Sequence, residues 1–226
     1  MTRSLDVRRL GRVPYADALD VQANLVADRQ AGRIADTLLL LDHDPVFTLG
    51  RNARKENVLL SQETLRAKGF ALFETGRGGD VTYHGPGQIV GYPIVELPPG
   101  RRDVHRYVRD LEEVMIRTCA DHGVVATRIA GLTGAWVGEE KVGAIGVRIA
   151  RWVTSHGFAL NVSLDLAPFD LIVPCGIRGR GVTSLERLLG RPVAVHELMT
   201  RLAAHFAAVF EGEVVGGAIA PLAAAR

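Results

Sequence analysis

Apolar and polar positions along this chain switch between a helical and a strand period, and the switches divide it into elements. Pro14 opens a stretch with Tyr15, Ala18, Leu19, Leu25 and Val26 on one helical face, closed by Gly32. The unbroken run Thr37-Leu38-Leu39-Leu40-Leu41 predicts a short buried strand. Residues 42–51 pass from polar to apolar and lead from that strand's end toward a candidate site. Ser61 caps a short predicted helix reaching Lys68, residues 70–73 read as a strand, and residues 89–95 read as another. Within the latter, Pro93 points to a sheet edge or a bulge.

The clearest helix covers residues 103–122. Val104, Tyr107, Val108, Leu111, Val114, Met115 and Cys119 recur at i, i+3, i+4, i+7, and Gly123 supplies the stop. From Val124 the period shortens. Residues 134–138 and 141–149 predict two strands joined by a tight turn at Glu139-Glu140, and residues 152–162 a third. Residues 183–189 and 195–210 are helical again. Irregular alternation with several antiparallel strands predicts an α/β fold of the α+β type. Its sheet is mixed and largely antiparallel with flanking helices, not doubly wound.

No linker, repeat or low-complexity tract divides the 226 residues, so one domain over 1–226 is expected, its core about 5–210 and its tail from Glu211 frayed. No apolar run reaches the roughly 18 residues of a membrane span, and the start lacks the apolar core of a secretory signal, so a cytoplasmic protein is expected. A net charge of +2, with short basic clusters and no long basic stripe, argues against nucleic acid as a partner. Two cysteines are too few for a disulfide framework or a thiolate zinc site.

The chemistry concentrates in a few places. Residues 76–88 set five glycines around Arg77, Asp80, Tyr83 and His84, directly before an apolar strand. Such a stretch can be a plain hairpin loop, but its convergent polar groups suit one wall of a substrate site. The chain carries 24 Arg and only three Lys. Lys55 lies in a polar loop and Lys68 at a helix end, where a cation suits the dipole. Lys141 opens a glycine-bearing strand, where Glu139 and Glu140 can pair with it. An amine, unlike a guanidinium, can give up its proton when its surroundings lower its pKa. Cys119 falls on an apolar helix stripe and reads as core. Cys175 sits between Pro174 and Gly176, either a buried structural thiol or one presented from a turn. A thiol next to an amine suits acyl transfer, because the thiolate is the nucleophile. His84 and His156 are rival bases, and His43, His84 and His156 lack metal-ligand spacing.

Four segments occur in order: 77–88, 141–147, Ser155-His156-Gly157-Phe158-Ala159-Leu160-Asn161-Val162, and Pro174-Cys175-Gly176-Ile177 followed by Val182-Thr183-Ser184-Leu185. Together they resemble the lipoyl(octanoyl) transferase family over nearly the whole chain. The resemblance implies the fold of the biotin and lipoate protein ligase catalytic domains. It implies transfer of an octanoyl group from acyl carrier protein, where phosphopantetheine carries it, to a lysine of lipoyl domains. The acceptors would be the lipoyl domains of 2-oxoacid dehydrogenases and the glycine cleavage H protein. No other cofactor, no metal, no membrane and a monomeric state are expected. The resemblance makes Cys175 the acyl-thioester nucleophile and Lys141 its base. It gives substrate contacts to Arg77, Gly78, Gly79, Asp80, Val81, Thr82, Tyr83, His84, Ala144, Ile145, Gly146, Gly157, Phe158 and Ala159, with the glycines letting an acyl chain lie against backbone. The rivals are an ATP-dependent lipoate or biotin ligase and a non-catalytic acyl-chain binding module.

Overall fold

A computed structural model of the chain describes residues 3–173 and 179–216. Strand β1 (Arg3–Arg12) precedes helix α1 (Tyr15–Gln30), then β2 (Asp36–Asp42) and β3 (Val46–Leu49). Next come α2 (Gln62–Ala67), β4 (Ala71–Glu74), β5 (Val81–His84) and β6 (Gln88–Ile94). Helix α3 (Val104–Ala120) leads to β7 (Thr127–Ile129), β8 (Leu132–Val137), β9 (Glu140–Ala150) and β10 (Val153–Asn161). The chain closes with β11 (Gly181–Val182), α4 (Leu185–Leu189), α5 (Val195–Val209) and β12 (Gly212–Val215).

The main sheet runs β12-β1-β2-β6-β10-β9-β8-β7, with β11 beside β9, and a small second sheet runs β4-β3-β5. Pairing is parallel for β12/β1, β1/β2 and β11/β9 and antiparallel from β2 to β7, which gives the expected mixed sheet. The four leucines of β2 are buried because both faces of the strand are covered. Leu38 and Leu40 join α3 and α5 in one core, and Leu39 and Leu41 join α1 in another. Apolar surface on both faces is what an unbroken hydrophobic run requires.

Helix α3 begins where Asp103 accepts from the N–H groups of His105 and Arg106, and α2 where Ser61 accepts from Thr64 N–H. Cys119 is fully buried on α3, and burial pushes its thiol up to about 12, so it is core as expected.

Three expectations change. Residues 3–12 form a strand, which the sequence reading passed over. Residues 212–215 are not frayed: they pair in parallel with Arg3, Ser4, Leu5 and Asp6. Pro93 lies on an interior strand between β2 and β10, not at an edge. Its missing N–H falls where the β6–β10 ladder is interrupted, between the Gly91–Phe158 pair and the isolated bridge from Glu96 to Val153. An interior strand tolerates a proline there because no ladder bond is lost.

Candidate active site

The glycine-rich segment crosses the edge of β9 beyond its pairing with β8. That pairing covers Glu140 to Gly143, and farther along Gly78 N–H donates to Val147 C=O at 2.8 Å. Asp80 fixes the segment from the other side, accepting from its neighbour Val81 N–H at 2.7 Å and from Asn57 Nδ2 at 2.5 Å. Arg77 is buried, and its Nη2 donates to Thr48 C=O (2.6 Å) and Thr48 Oγ1 (2.8 Å). A loop whose glycines would otherwise leave it loose is thereby held at both ends.

Two cavities meet beneath this loop. A narrow pocket of about 40 Å³ is lined by Arg77, Gly79, Asp80, Val81, Thr82, His84, Ala144, Ile145, Gly146, Gly157, Phe158 and Ala159, together with Tyr15, Val90, Tyr92 and His156. An open cleft of about 700 Å³ holds Lys141, Gly78, Asn57, Val108 and Thr133. Gly79, Asp80, Ile145 and Gly146 line both. The first space suits an extended aliphatic chain, the second something larger.

Lys141 is 8% exposed. Its Nζ lies 4.7 Å from the centroid of the Trp136 ring, the residue opposite it on β8, and Arg180 stands over the same ring at 5.7 Å. At the acidic turn Glu139 pairs with Arg180, and Glu140 with Arg187 at 3.7 Å. The Lys141 carbonyl accepts from Thr183 N–H at 3.0 Å, and Thr183 C=O accepts from Asn161 Nδ2 at 3.0 Å. Asn161 Oδ1 accepts from Gln88 Nε2 at 2.9 Å, and Gln88 Oε1 accepts from His84 Nδ1–H at 2.7 Å. One chain of hydrogen bonds therefore ties the pocket wall to the backbone of Lys141. Cys175, the expected nucleophile, lies outside the described residues. Val173 before it donates to Asn57 C=O at 2.8 Å. Beyond it, Val182 pairs with Lys141, so the described chain on both sides is tied to the cleft.

The histidines of the pocket are neutral. Burial pushes His84 down to about 3, with nearby His43 and Arg77 adding to the effect against the bond to Gln88. Burial, then Arg77 and Arg148, pushes His156 down to about 4. Burial also lowers His43, whose Nδ1–H donates to Val13 C=O at 2.7 Å. Its Nε2 is then an acceptor, and the Tyr92 hydroxyl donates to it at 2.7 Å. Tyr15 is raised to about 12, chiefly by burial. His156 has φ +54° inside β10, and its N–H turns away to Gln22 Oε1 at 2.7 Å. A left-handed histidine in a strand costs on the order of 1–3 kcal/mol, and such strain collects at functional sites.

The structure gathers all the expected contacts but two into the pocket. Gly78 lines the cleft instead. The Tyr83 ring points away from the pocket, into a separate core with Phe47, Phe70 and Phe169, because successive residues of β5 face opposite sides. Phe158 and Ile145 pack their side chains with the core on the α3 side, so they offer the pocket mainly backbone. The expected use of two glycines also changes. A Cβ on Gly146 would lie 2.9 Å from Arg77 Cδ, and one on Gly157 would lie 2.2 Å from Gly91 O. These positions are glycine to let protein segments approach one another, and that space is filled. Tyr15, Val90 and Tyr92 were missed as pocket residues, because a side chain facing a pocket carries the same apolar pattern as one facing the core.

The profile of the family described as "Lipoyl protein ligase A/B catalytic domain" matches residues 14–207. An octanoyltransferase of Solibacter usitatus is 53% identical over 216 residues, covering 96% of this chain and 97% of its own length. The fold is similar to that of a lipoate-protein ligase A solved with ATP, at a TM-score of 0.74 and 17% identity over 96% of this chain and 90% of the other. It is also similar to the biotin protein ligase of Aquifex aeolicus, at a TM-score of 0.53 and 12% identity over 93% and 70%. With the profile covering most of the chain and half the residues shared with a relative of matching length, the chain belongs to the lipoyl protein ligase A/B catalytic-domain family, as an acyltransferase of its octanoyltransferase group.

Proposed function

We propose that this chain moves an octanoyl group from octanoyl-acyl carrier protein to the lysine amine of a lipoyl domain, through a thioester on Cys175 and without ATP. Lys141 takes the Cys175 proton, and the thiolate attacks the acyl carbonyl carbon. The C–S bond to the carrier breaks, and its sulfur leaves with that proton. The acceptor amine then attacks the new thioester and gives up a proton to Lys141, forming the amide, and the Cys175 sulfur leaves as the thiolate. Thioester exchange is nearly balanced and amide formation is downhill, so no further energy source is needed. Arg77, Gly79, Asp80, Thr82, His84, Ala144, Gly146, Gly157 and Ala159 hold the acyl chain.

One observation carries the reading. The pocket that collects these residues shares four lining residues, Gly79, Asp80, Ile145 and Gly146, with the cleft that holds Lys141. The test is incubation with octanoyl-acyl carrier protein and a lipoyl domain in the absence of ATP. The expected result is octanoylated domain, with an octanoyl adduct on the enzyme in intact-mass spectra that Cys175→Ala abolishes. Transfer only when ATP and free octanoate are supplied would favour a ligase. Transfer at the wild-type rate by Cys175→Ala would remove the thioester step.

A further inference from the structure

The pocket proposed for the acyl chain has a floor of small residues and an end of large ones. Ala144 of β9 lies beside Ala159 of β10, and Gly146 beside Gly157; Arg77 covers Gly146 and Gly91 covers Gly157, so the open floor is the alanine pair. On the next strand, β6, Val90 pairs with Ala159, and two residues farther on stands Tyr92. The open floor therefore stops where side chains lengthen, at Tyr92, Tyr15 and His84.

These rings form one group with His43. The Tyr15 ring centroid is 5.1 Å from that of His43 and 6.2 Å from that of His84, on which it stacks. His43 is 5.8 Å from both His84 and Tyr92. Three hydrogen bonds pin the group: Tyr92 to His43, His43 to Val13 C=O, and His84 to Gln88, each 2.7 Å. Tyr15 sits on the first turn of α1, with Phe73 5.2 Å away across its ring.

We propose that Tyr15, clamped in this ring cluster, is the stop that sets the length of acyl chain the enzyme accepts. The proposal rests on the acyl-pocket reading above and adds the residue that measures the chain. A hard stop is needed because hydrophobic contact alone discriminates weakly: each buried methylene changes affinity about fourfold. Chains too short lose affinity by that gentle step. A chain too long meets a ring that its neighbours keep from turning aside, and loses more. The length profile is lopsided, shallow below the optimum and steep above it.

The experiment measures binding of hexanoate, octanoate, decanoate and dodecanoate to the full chain by calorimetry, in wild type, Tyr15→Ala and Tyr15→Leu. Tyr15 belongs to none of the three apolar core clusters among the described residues, which favours folded variants. Tyr15→Leu gives the same reading if Tyr15→Ala does not fold. Wild type is expected to prefer octanoate, with a sharp drop at decanoate. In Tyr15→Ala the decanoate-to-octanoate affinity ratio rises about fifteenfold or more, about fourfold for each of the two further methylenes buried, and in Tyr15→Leu it rises less. Ratios taken within one protein cancel any difference in folded fraction. Superimposable length profiles for wild type and a folded variant would overturn the assignment. Fatty acid binding needs neither thiol nor carrier protein. A wild type that binds octanoate but transfers nothing therefore refutes the reaction alone.

Discussion

Acidification should unfold this protein through its neutral histidines before most carboxylates titrate. His84 is held down to about 3 and His156 to about 4, against about 6.5 in an unfolded chain. Both folded values are depressed, so near pH 5 the unfolded state binds protons that the folded state refuses. The stability these groups contribute is fully present above about pH 6.5. It is lost as pH falls toward 4 and then 3, and His43 acts in the same direction. Each such proton gives a slope approaching 1.4 kcal/mol per pH unit. Together the two histidines remove about 2 kcal/mol between pH 6 and pH 5, a large share of a typical total of about 5–15 kcal/mol. Urea unfolding followed by tryptophan fluorescence at those two pH values measures the loss. His84→Asn keeps a donor near the Nδ1 position for Gln88 but cannot titrate, so its loss over the same interval should be smaller by about 1 kcal/mol. Comparing slopes removes the variant's own change in stability. An identical slope in His84→Asn and wild type would show that His84 is protonated normally in the folded protein, and the burial argument would fail.

Two further outcomes follow from the site. Lys141→Arg keeps a cation but removes the titratable amine, so transfer from an acyl-carrier thioester at neutral pH should fall by about a hundredfold or more, measured as kcat; wild-type kcat would make Lys141 a fixed charge and not a base. Gly157→Ala drives a methyl group to within 2.2 Å of Gly91 O. Because the obstacle is backbone, the loss of stability should be about 3 kcal/mol, read from the urea midpoint.

The parts of the fold legible in the sequence are those whose signals are local. Helix α3 announced itself because its stripe and its Gly123 stop lie within one short window. Strands β1 and β12 did not. Leu5 and Val7 alternate, but Arg8 and Arg9 break the pattern, and β12 exposes Val214 and Val215. What makes both of them strands is each other and β2, a pairing between opposite ends of the chain that no local window contains. Pro93 shows the same limit: proline forbids a ladder bond, but only the partner strand shows that the ladder was already open there.

The site divides along a different line. Residue type and glycine density marked the segment from Arg77 to His84, and strand alternation then separated Tyr83 from His84, one facing a core and the other the pocket. Tyr15 and Leu25 show what periodicity cannot resolve. Both are buried on α1 and both fit its apolar face, yet Leu25 packs against the sheet while Tyr15 bounds the pocket. A hydrophobic period reports that a position turns away from water, and a core and a ligand pocket satisfy that condition equally. The difference lies in the opposing surface, where the paired alanines of β9 and β10, Ala144 and Ala159, line open space. A stripe of small residues facing a large aromatic across two elements is therefore a better marker of a chain-binding pocket than any single motif. Truncating Tyr15 tests that rule directly, because it changes the aromatic end of the pocket and leaves the stripe intact.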